Sequence, residues 1–157
     1  MKRSTAREIA VRLVFALGET NAEPQPLLET VFEEEYYSSL KSEDELYNDK
    51  PGPKQQAYIF RIVTGVSDHG AELDGYIEKY SKGWKFARIS RTALAIMKTA
   101  MFEILYMQDI PNSAAINEAV EMAKRYEQPE TVPFINGVLG SFLSGELQGL
   151  SEPGGHK

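Results

Sequence analysis

Cysteine is absent from the 157 residues of the chain. This absence excludes a disulfide framework, a catalytic thiolate and a cysteine metal site. Histidine is nearly absent too, occurring only at His69 and His156. A histidine without a second one nearby is a poor candidate for a relay or a metal cluster. We therefore interpret His69, on the apolar side of its predicted helix, as a hydrogen-bonded core residue rather than a catalyst.

Long hydrophobic runs are also missing. No apolar segment approaches the roughly 20 residues that a membrane-spanning helix needs. The N-terminus, Met1–Glu8, leads into an amphipathic pattern and lacks both the apolar run and the small-residue cleavage site of a signal peptide. We therefore expect a cytoplasmic protein with no membrane contact.

Sequence signals for β-structure are lacking, since no run alternates strictly between apolar and polar residues. Apolar residues instead recur every three or four positions, which predicts an all-α fold of six or seven helices with a division near Trp84. A chain of this length can build its own core. The central apolar positions predicted to be buried are Leu13, Ile62, Val66, Met97, Met101, Val120 and Val138.

Helix boundaries follow from capping residues and breaks. Thr5 and Glu8 form a capping-box pattern for a first helix ending at Gly18. Apolar spacing from residue 55 to 80 fits one long helix, although its three glycines weaken it or mark a break. The Lys82–Lys85 segment is a break, and Ser90 can cap the next helix. The loop from residue 42 to 54 is the longest, and we expect it to be mobile.

A helical hairpin is predicted from residue 109 onward. Pro111 can begin its first helix and Ser113 can cap nearby, while the second helix carries an apolar stripe from Phe134 to Leu143. Gly137 in that stripe would allow a neighbouring helix to approach closely. The terminal residues 149–157 have nothing apolar to dock and should be disordered.

Charge is unevenly distributed along a chain whose net charge is −6. Residues 1–12 carry four cations and one carboxylate, whereas residues 19–49 carry ten carboxylates and one cation, Lys41. The excess of acid argues against nucleic-acid binding over the whole surface, but a basic edge is compatible with it. A solvated terminus without function is the competing interpretation.

Catalytic constellations are not recognisable. The sequence has no nucleophile with an adjacent base, no Gly-rich phosphate loop and no spaced set of metal ligands. Consecutive helical residues such as Glu33, Glu34 and Glu35 diverge and are typical of a solvated face. Glu103 and Glu118 could pair across helices, but the sequence reveals no partners for them. We expect neither enzyme activity nor a cofactor or metal.

Two segments of the hairpin resemble the signatures of the NusB family, namely Ile116–Lys124 and Phe134–Leu139. The resemblance is strongest from about Trp84 to Leu139 and returns at Ala6–Val11 with Phe15. It implies one helical domain over residues 1–148, with subdomains of about 1–83 and 84–148. It also implies a transcription antitermination factor without catalytic residues, which binds boxA-type RNA together with the ribosomal protein NusE in an RNA polymerase antitermination complex. A homodimer is left open.

The RNA surface that the resemblance implies combines Lys2, Arg3, Arg7, Phe15, Tyr126 and Glu130. Lysine and arginine would contact phosphates, and Tyr126 could stack on an unpaired base. A core ring that closes the hairpin is the other interpretation of Tyr126. The three N-terminal cations are expected to be exposed.

Departures from the family pattern include Ala93 in place of an aspartate, Lys98 in place of an arginine and Pro133 in place of a lysine. These replacements and the reduced number of N-terminal arginines would weaken RNA binding. Two other functions stay open. One is a helical protein-protein interaction module without RNA binding. The other is an accessory RNA-binding domain of an RNA-modifying system, although we expect the chain to be too short to include a catalytic domain.

Overall fold

The structure of the protein is a computed structural model that describes residues 1–18, 20 and 22–147. Over these ranges the chain forms eight α-helices, two short 3-10 helices and no strand. The α-helices are α1 (Arg3–Gly18), α2 (Pro24–Val31), α3 (Glu34–Leu40), α4 (Pro53–Asp68), α5 (Gly70–Tyr80), α6 (Arg91–Tyr106), α7 (Asn112–Tyr126) and α8 (Thr131–Glu146). The predicted all-α fold is confirmed, with slightly more helices than expected. No helix in the described part is long and apolar enough to cross a membrane. The predicted disordered tail, 149–157, lies outside the described residues.

Two compact units make up the chain: the first is Met1–Asp68, and the second begins at His69. The division predicted from the sequence lies near Trp84, at the Lys82–Lys85 break, and the glycines of residues 55–80 left a further break open. At His69 the backbone leaves helical geometry, with φ −106° and ψ 20°, and α5 begins at Gly70. The Lys82–Lys85 break therefore lies within the second unit.

His69 is half-exposed rather than buried, which corrects its assignment to the core. Its imidazole stacks on Tyr106 with ring centroids 4.3 Å apart. Its Nδ1 lies 3.1 Å from Glu72 Oε1, and the Tyr106 hydroxyl donates to the same oxygen over 2.7 Å. The helix break removes His69 from the regular apolar face, which is why periodicity alone misplaced it.

The first unit is organised around the packing of α1 against α4. Leu13, Ile62 and Val66 are buried there, as predicted. The helix α1 begins at Arg3, so Thr5 lies inside its first turn and the capping-box prediction is wrong. The Ala6 N–H instead donates to the Lys2 carbonyl over 3.1 Å, which starts the helix one turn earlier.

The acidic run Glu33–Glu35 lies at the start of α3, two residues after the end of α2. The Glu33 carboxylate accepts a hydrogen bond from the Tyr36 N–H over 2.8 Å and caps α3, while Glu34 and Glu35 occupy its first turn. Carboxylates at a helix N-terminus interact favourably with the helix dipole. The run therefore has a structural role as a helix start, in addition to forming the solvated face that was predicted.

Two side-chain contacts hold the segment after α3 against helices of the first unit, one from α3 and one from α1. The buried Tyr37 hydroxyl donates to the Asp49 carbonyl over 2.9 Å, and burial raises the pKa of Tyr37 to about 12. Arg12 donates to Asp44 over 2.8 Å. A hydrogen bond from the Leu46 N–H, followed by the Arg12 contact, lowers the pKa of Asp44. The loop that was expected to be mobile is thus held at two points.

The second unit surrounds α6, which packs against α5, α7 and α8. Met97 and Met101 on α6 and Val138 on α8 are buried, as predicted. Val120 is only half-buried on α7, so its assignment to the core is wrong. Ala119 and Ala123 supply the buried face of α7 instead, which shows that the contact stripe passes beside Val120.

The predicted hairpin forms from α7 and α8, which pack together. Pro111 directly precedes α7 and no side chain caps that helix, so Ser113 does not have the predicted capping role. Gly137 faces open space, whereas Gly145 lies against Tyr80 so closely that a Cβ would stand 2.2 Å from its hydroxyl. The glycine that permits a close approach in α8 is therefore Gly145.

Candidate nucleic-acid interface

The N-terminal cations differ in their surroundings. Lys2 is exposed, Arg3 is half-buried and Arg7 retains only 4% exposure. The Arg3 Nε donates to Gln55 Oε1 over 2.7 Å, and its guanidinium lies 4.1 Å from the Tyr58 ring centroid. The Arg7 guanidinium lies 5.6 Å from the same ring. The expectation that all three cations are exposed is corrected, because Tyr58 on α4 draws both arginines onto the body of the first unit.

Phe15 lies on α1 and is half-buried, so part of its ring is accessible. One turn earlier, Arg12 is engaged by Asp44 at 2.8 Å. Of the four predicted site residues in the first unit, Lys2 is thus exposed, and Arg3 and Phe15 are partly accessible.

Tyr126 and Glu130 belong to the second unit. Tyr126 is the last residue of α7 and is 38% exposed, so it is not a core ring. The last helical turn also contains Lys124 and Arg125. Glu130 is exposed directly before α8, and its side chain makes no capping hydrogen bond. An exposed ring beside two cations is a suitable arrangement for an unpaired base and its phosphate.

A second cationic segment lies between α5 and α6, where the sequence analysis recognised only a break. Lys82, Lys85 and Arg88 are exposed there, together with the single tryptophan, Trp84. The ring of Trp84 stacks on Phe134 with centroids 4.3 Å apart and is 39% exposed. A signal was present in the sequence, because no carboxylate occurs between Glu78 and Glu103.

Metal-binding geometry is not found in the part of the chain that the structure describes, where no three histidine, aspartate or glutamate side chains converge. Glu103 is fully buried on α6, and Glu118 is half-buried on α7.

The family model that matches the chain is that of the NusB family, over residues 4–144. The chain belongs to the NusB family. A transcription antitermination protein NusB from Acetivibrio thermocellus is 41% identical over 147 residues, which cover 94% of this chain and 92% of the relative. The corresponding protein of Ruminiclostridium cellulolyticum is 36% identical with the same coverage. The family resemblance inferred from the hairpin signatures is thus confirmed.

Solved structures share the NusB fold. T. maritima NusB superposes with a TM-score of 0.75 at 23% identity, covering 92% of both chains. NusB from Aquifex aeolicus gives 0.69 at 19% identity, covering 98% of this chain and 95% of the other. A chain in the crystal structure of a plectonemic RNA supercoil gives 0.74 at 19% identity, covering 95% and 99%. At these identities the likeness establishes the fold.

Proposed function

We propose that this NusB-family protein binds a boxA-type element of ribosomal RNA transcripts together with the ribosomal protein NusE, as part of an RNA polymerase antitermination complex. The observation that carries the proposal is family membership, since the curated relatives are transcription antitermination proteins. Such a factor would act in the cytoplasm on nascent RNA.

The roles proposed for the first unit follow from exposure. Lys2 is free to contact a phosphate, and Arg3 can do so while its guanidinium keeps contact with Tyr58. Arg7 is too buried for direct contact, so we assign it a positioning role that holds the start of α1 against α4. The accessible edge of Phe15 would pack on a base or sugar.

The roles proposed for the second unit are stacking and base reading. The exposed ring of Tyr126 would stack on an unpaired base, and Lys124 and Arg125 would neutralise phosphates nearby. Glu130, with an uncommitted carboxylate at the surface, would accept a hydrogen bond from an exocyclic amino group such as that of cytosine. A carboxylate in this position repels phosphates and so favours bases over backbone.

Anisotropy titration of a labelled boxA-type RNA tests the proposal directly, with a scrambled RNA of the same composition as the control. We expect tighter binding of the boxA-type RNA and a further gain when NusE is added. Equal affinities for the two RNAs, with and without NusE, would refute the proposed function. Replacing Lys2 and Arg3 together by alanine should weaken binding, and Lys50→Ala on another exposed site should not.

A protein-binding module is the second candidate, favoured by an open groove in the first unit. Its walls are Pro51, Pro53, Gln56, Ala57 and Phe60. The ring of Phe60 contacts Phe32, which stacks on Tyr37 beside the acidic segment 43–49. An apolar groove next to carboxylates suits a basic protein, and NusE binding that survives loss of all RNA affinity would favour this function.

A further inference from the structure

The segment that joins α5 to α6 is the most consistently basic part of the chain. Between Glu78 and Glu103 no carboxylate occurs, and the cations there are Lys79, Lys82, Lys85, Arg88, Arg91 and Lys98. Lys79 is paired with Glu146 and Lys98 with Asp74. Lys82, Lys85 and Arg88 are exposed, so their charge faces solvent on a protein that is acidic as a whole.

The backbone of this segment forms two consecutive turns. The Trp84 N–H donates to the carbonyl of the buried Ser81 over 3.1 Å, and Gly83 in this turn has a φ of 83°, which favours glycine. A 3-10 turn follows at Phe86–Arg88, and the side chain of Ile89 is buried. These turns place the three cations and Trp84 close together along one short segment.

Trp84 is placed for stacking. One face of its indole packs on Phe134 at 4.3 Å with an interplanar angle of 29°. The residue as a whole is still 39% exposed, so Phe134 does not remove it from solvent. A supported aromatic face beside cations is the arrangement by which proteins bind single-stranded nucleic acid, because the ring stacks on a base while the cations contact phosphates.

The segment is also joined to the end of α7. The Ser90 hydroxyl donates to the Glu127 carboxylate, with distances of 3.0 and 3.1 Å to its two oxygens. Glu127 directly follows Tyr126, the other exposed aromatic residue of the second unit. The carboxylates in this region are Glu121, Glu127 and Glu130. Lys124 forms an ion pair with Glu121, whereas Glu127 keeps its negative charge beside Ser90 at the end of the segment. The cations Lys82, Lys85 and Arg88 precede this point in the chain.

We propose that Trp84, supported by Phe134, stacks on an unpaired base of single-stranded RNA whose phosphates are bound by Lys82, Lys85 and Arg88. This surface is an additional RNA contact within the second unit, and it rests on the proposed RNA-binding function. It extends the bound strand beyond the residues that the family resemblance implies. A protein with an acidic apolar segment is the alternative occupant, and binding of an acidic peptide distinguishes it from RNA.

The only tryptophan of the chain is Trp84, so its fluorescence reports on this surface alone. The full chain is titrated with a labelled boxA-type RNA extended to about 12 nucleotides, a typical length for a single-strand site, while anisotropy reports total binding. We expect tryptophan quenching to follow the anisotropy curve. Binding by anisotropy without any change in fluorescence would overturn the inference and leave the proposed function standing.

Variants separate stacking from charge. Trp84→Ala should weaken binding roughly 5-fold to 100-fold, because the loss of one base–aromatic stack reduces affinity by a factor of about this size. Trp84→Phe keeps an aromatic ring and should restore much of the affinity. The triple variant K82Q/K85Q/R88Q should lose roughly 10-fold to 100-fold at about 0.1 M salt. The matched control K41Q/K50Q/K54Q removes three exposed cations of the first unit and should bind as the wild type does.

The failures of the two proposals are distinguishable. If boxA-type and scrambled RNA both quench the tryptophan fluorescence, and both bind the triple variant more weakly, the surface is supported but boxA recognition is refuted. Equal losses in the triple variant and its control would show a general charge effect and overturn the inference. Quenching by a poly-glutamate peptide but not by RNA would assign the surface to an acidic protein. Circular dichroism melting of each variant checks that it is folded.

Discussion

The N-terminal cations Lys2 and Arg7 are equivalent in the sequence pattern but differ in burial. Lys2 is exposed, whereas Arg7 keeps only 4% of its surface and its guanidinium faces the Tyr58 ring. Removing Arg7 deletes a cation–π contact and the packing of its aliphatic stem. The same substitution at Lys2 deletes little apart from a solvated charge.

Arg7→Ala should therefore lower the free energy of unfolding by roughly 1 to 3 kcal/mol, the range of a buried interaction lost without replacement. Urea denaturation followed by circular dichroism measures this. Lys2→Ala is the control and should stay within about 0.5 kcal/mol of the wild type. A similar small effect of Arg7→Ala would contradict the structural role and return Arg7 to the candidates for direct phosphate contact.

The ion pair between α5 and α8 should make stability depend on pH. Lys79 donates a hydrogen bond to Glu146 Oε2 over 2.7 Å, and the Tyr80 hydroxyl donates to the same oxygen over 2.5 Å. The bond from Lys79 is the larger cause, and the bond from Tyr80 the second, of a lowered pKa of Glu146. A depressed folded-state pKa stabilises the protein above the usual glutamate range, and this contribution is lost as pH falls through the folded pKa. The bond to Glu146 raises the pKa of Lys79, so its contribution is lost at high pH.

Melting temperatures measured across pH should accordingly fall less on acidification in Glu146→Gln than in the wild type. The two proteins should converge below the folded pKa, where the wild-type carboxyl is protonated. Glu43→Gln, an exposed carboxylate of the first unit, serves as the control for the change in net charge. Parallel curves for wild type and Glu146→Gln would show that the pair does not stabilise the fold.

At the scale of single elements, capping explains both the successes and the errors of sequence analysis. Ser90 caps α6 as predicted, because its hydroxyl oxygen accepts from the Ala93 N–H over 3.0 Å. Ser113 was predicted by the same rule but does not cap α7. The rule identifies residues able to cap, whereas the position of the helix start depends on tertiary packing.

Ser90→Ala should cost about 0.5 to 2 kcal/mol, since it removes a cap and the hydroxyl that donates to Glu127. Thermal or urea denaturation of the full chain measures the loss. Ser90→Thr keeps the hydroxyl and should recover most of it. Ser113→Ala is the matched control on an exposed first-turn serine, and an equal loss there would mean that the Ser90 cap has no special role.

Periodicity identified the main helical faces but not where they break. The α6 face was predicted because Met97 and Met101 fall on a continuous apolar stripe. The break between α4 and α5 was left open, since the glycines of residues 55–80 allowed either one helix or a break, and it occurs where the backbone of His69 leaves helical geometry. The side-chain cap by which Glu33 begins α3 was not predicted. Those features depend on contacts that a periodic pattern does not contain.

At the scale of the whole molecule, the site is harder to predict than the fold. The family resemblance supplied Tyr126 and Glu130, but no periodic pattern indicates that Trp84 would stack on Phe134, fifty positions away. Similarly, Tyr58 draws in Arg3 and Arg7 from another helix. Net charge was also misleading as a guide, because a total of −6 conceals an exposed segment without carboxylates.

The salt dependence of RNA binding should reveal how the whole chain distributes its contacts. If the seven cations proposed to bind phosphate each contact one phosphate, log affinity should fall against log salt with a slope near about −5, from ~0.7 per contact on a single strand. These cations are Lys2, Arg3, Lys82, Lys85, Arg88, Lys124 and Arg125. The triple variant K82Q/K85Q/R88Q should reduce the slope to about −3, from the same ~0.7 per contact, and K41Q/K50Q/K54Q should leave it unchanged. Trp84→Ala should weaken binding without changing the slope, because stacking releases no counterions. A slope unaffected by the triple variant would confine phosphate binding to the remaining cations and contradict the second contact surface.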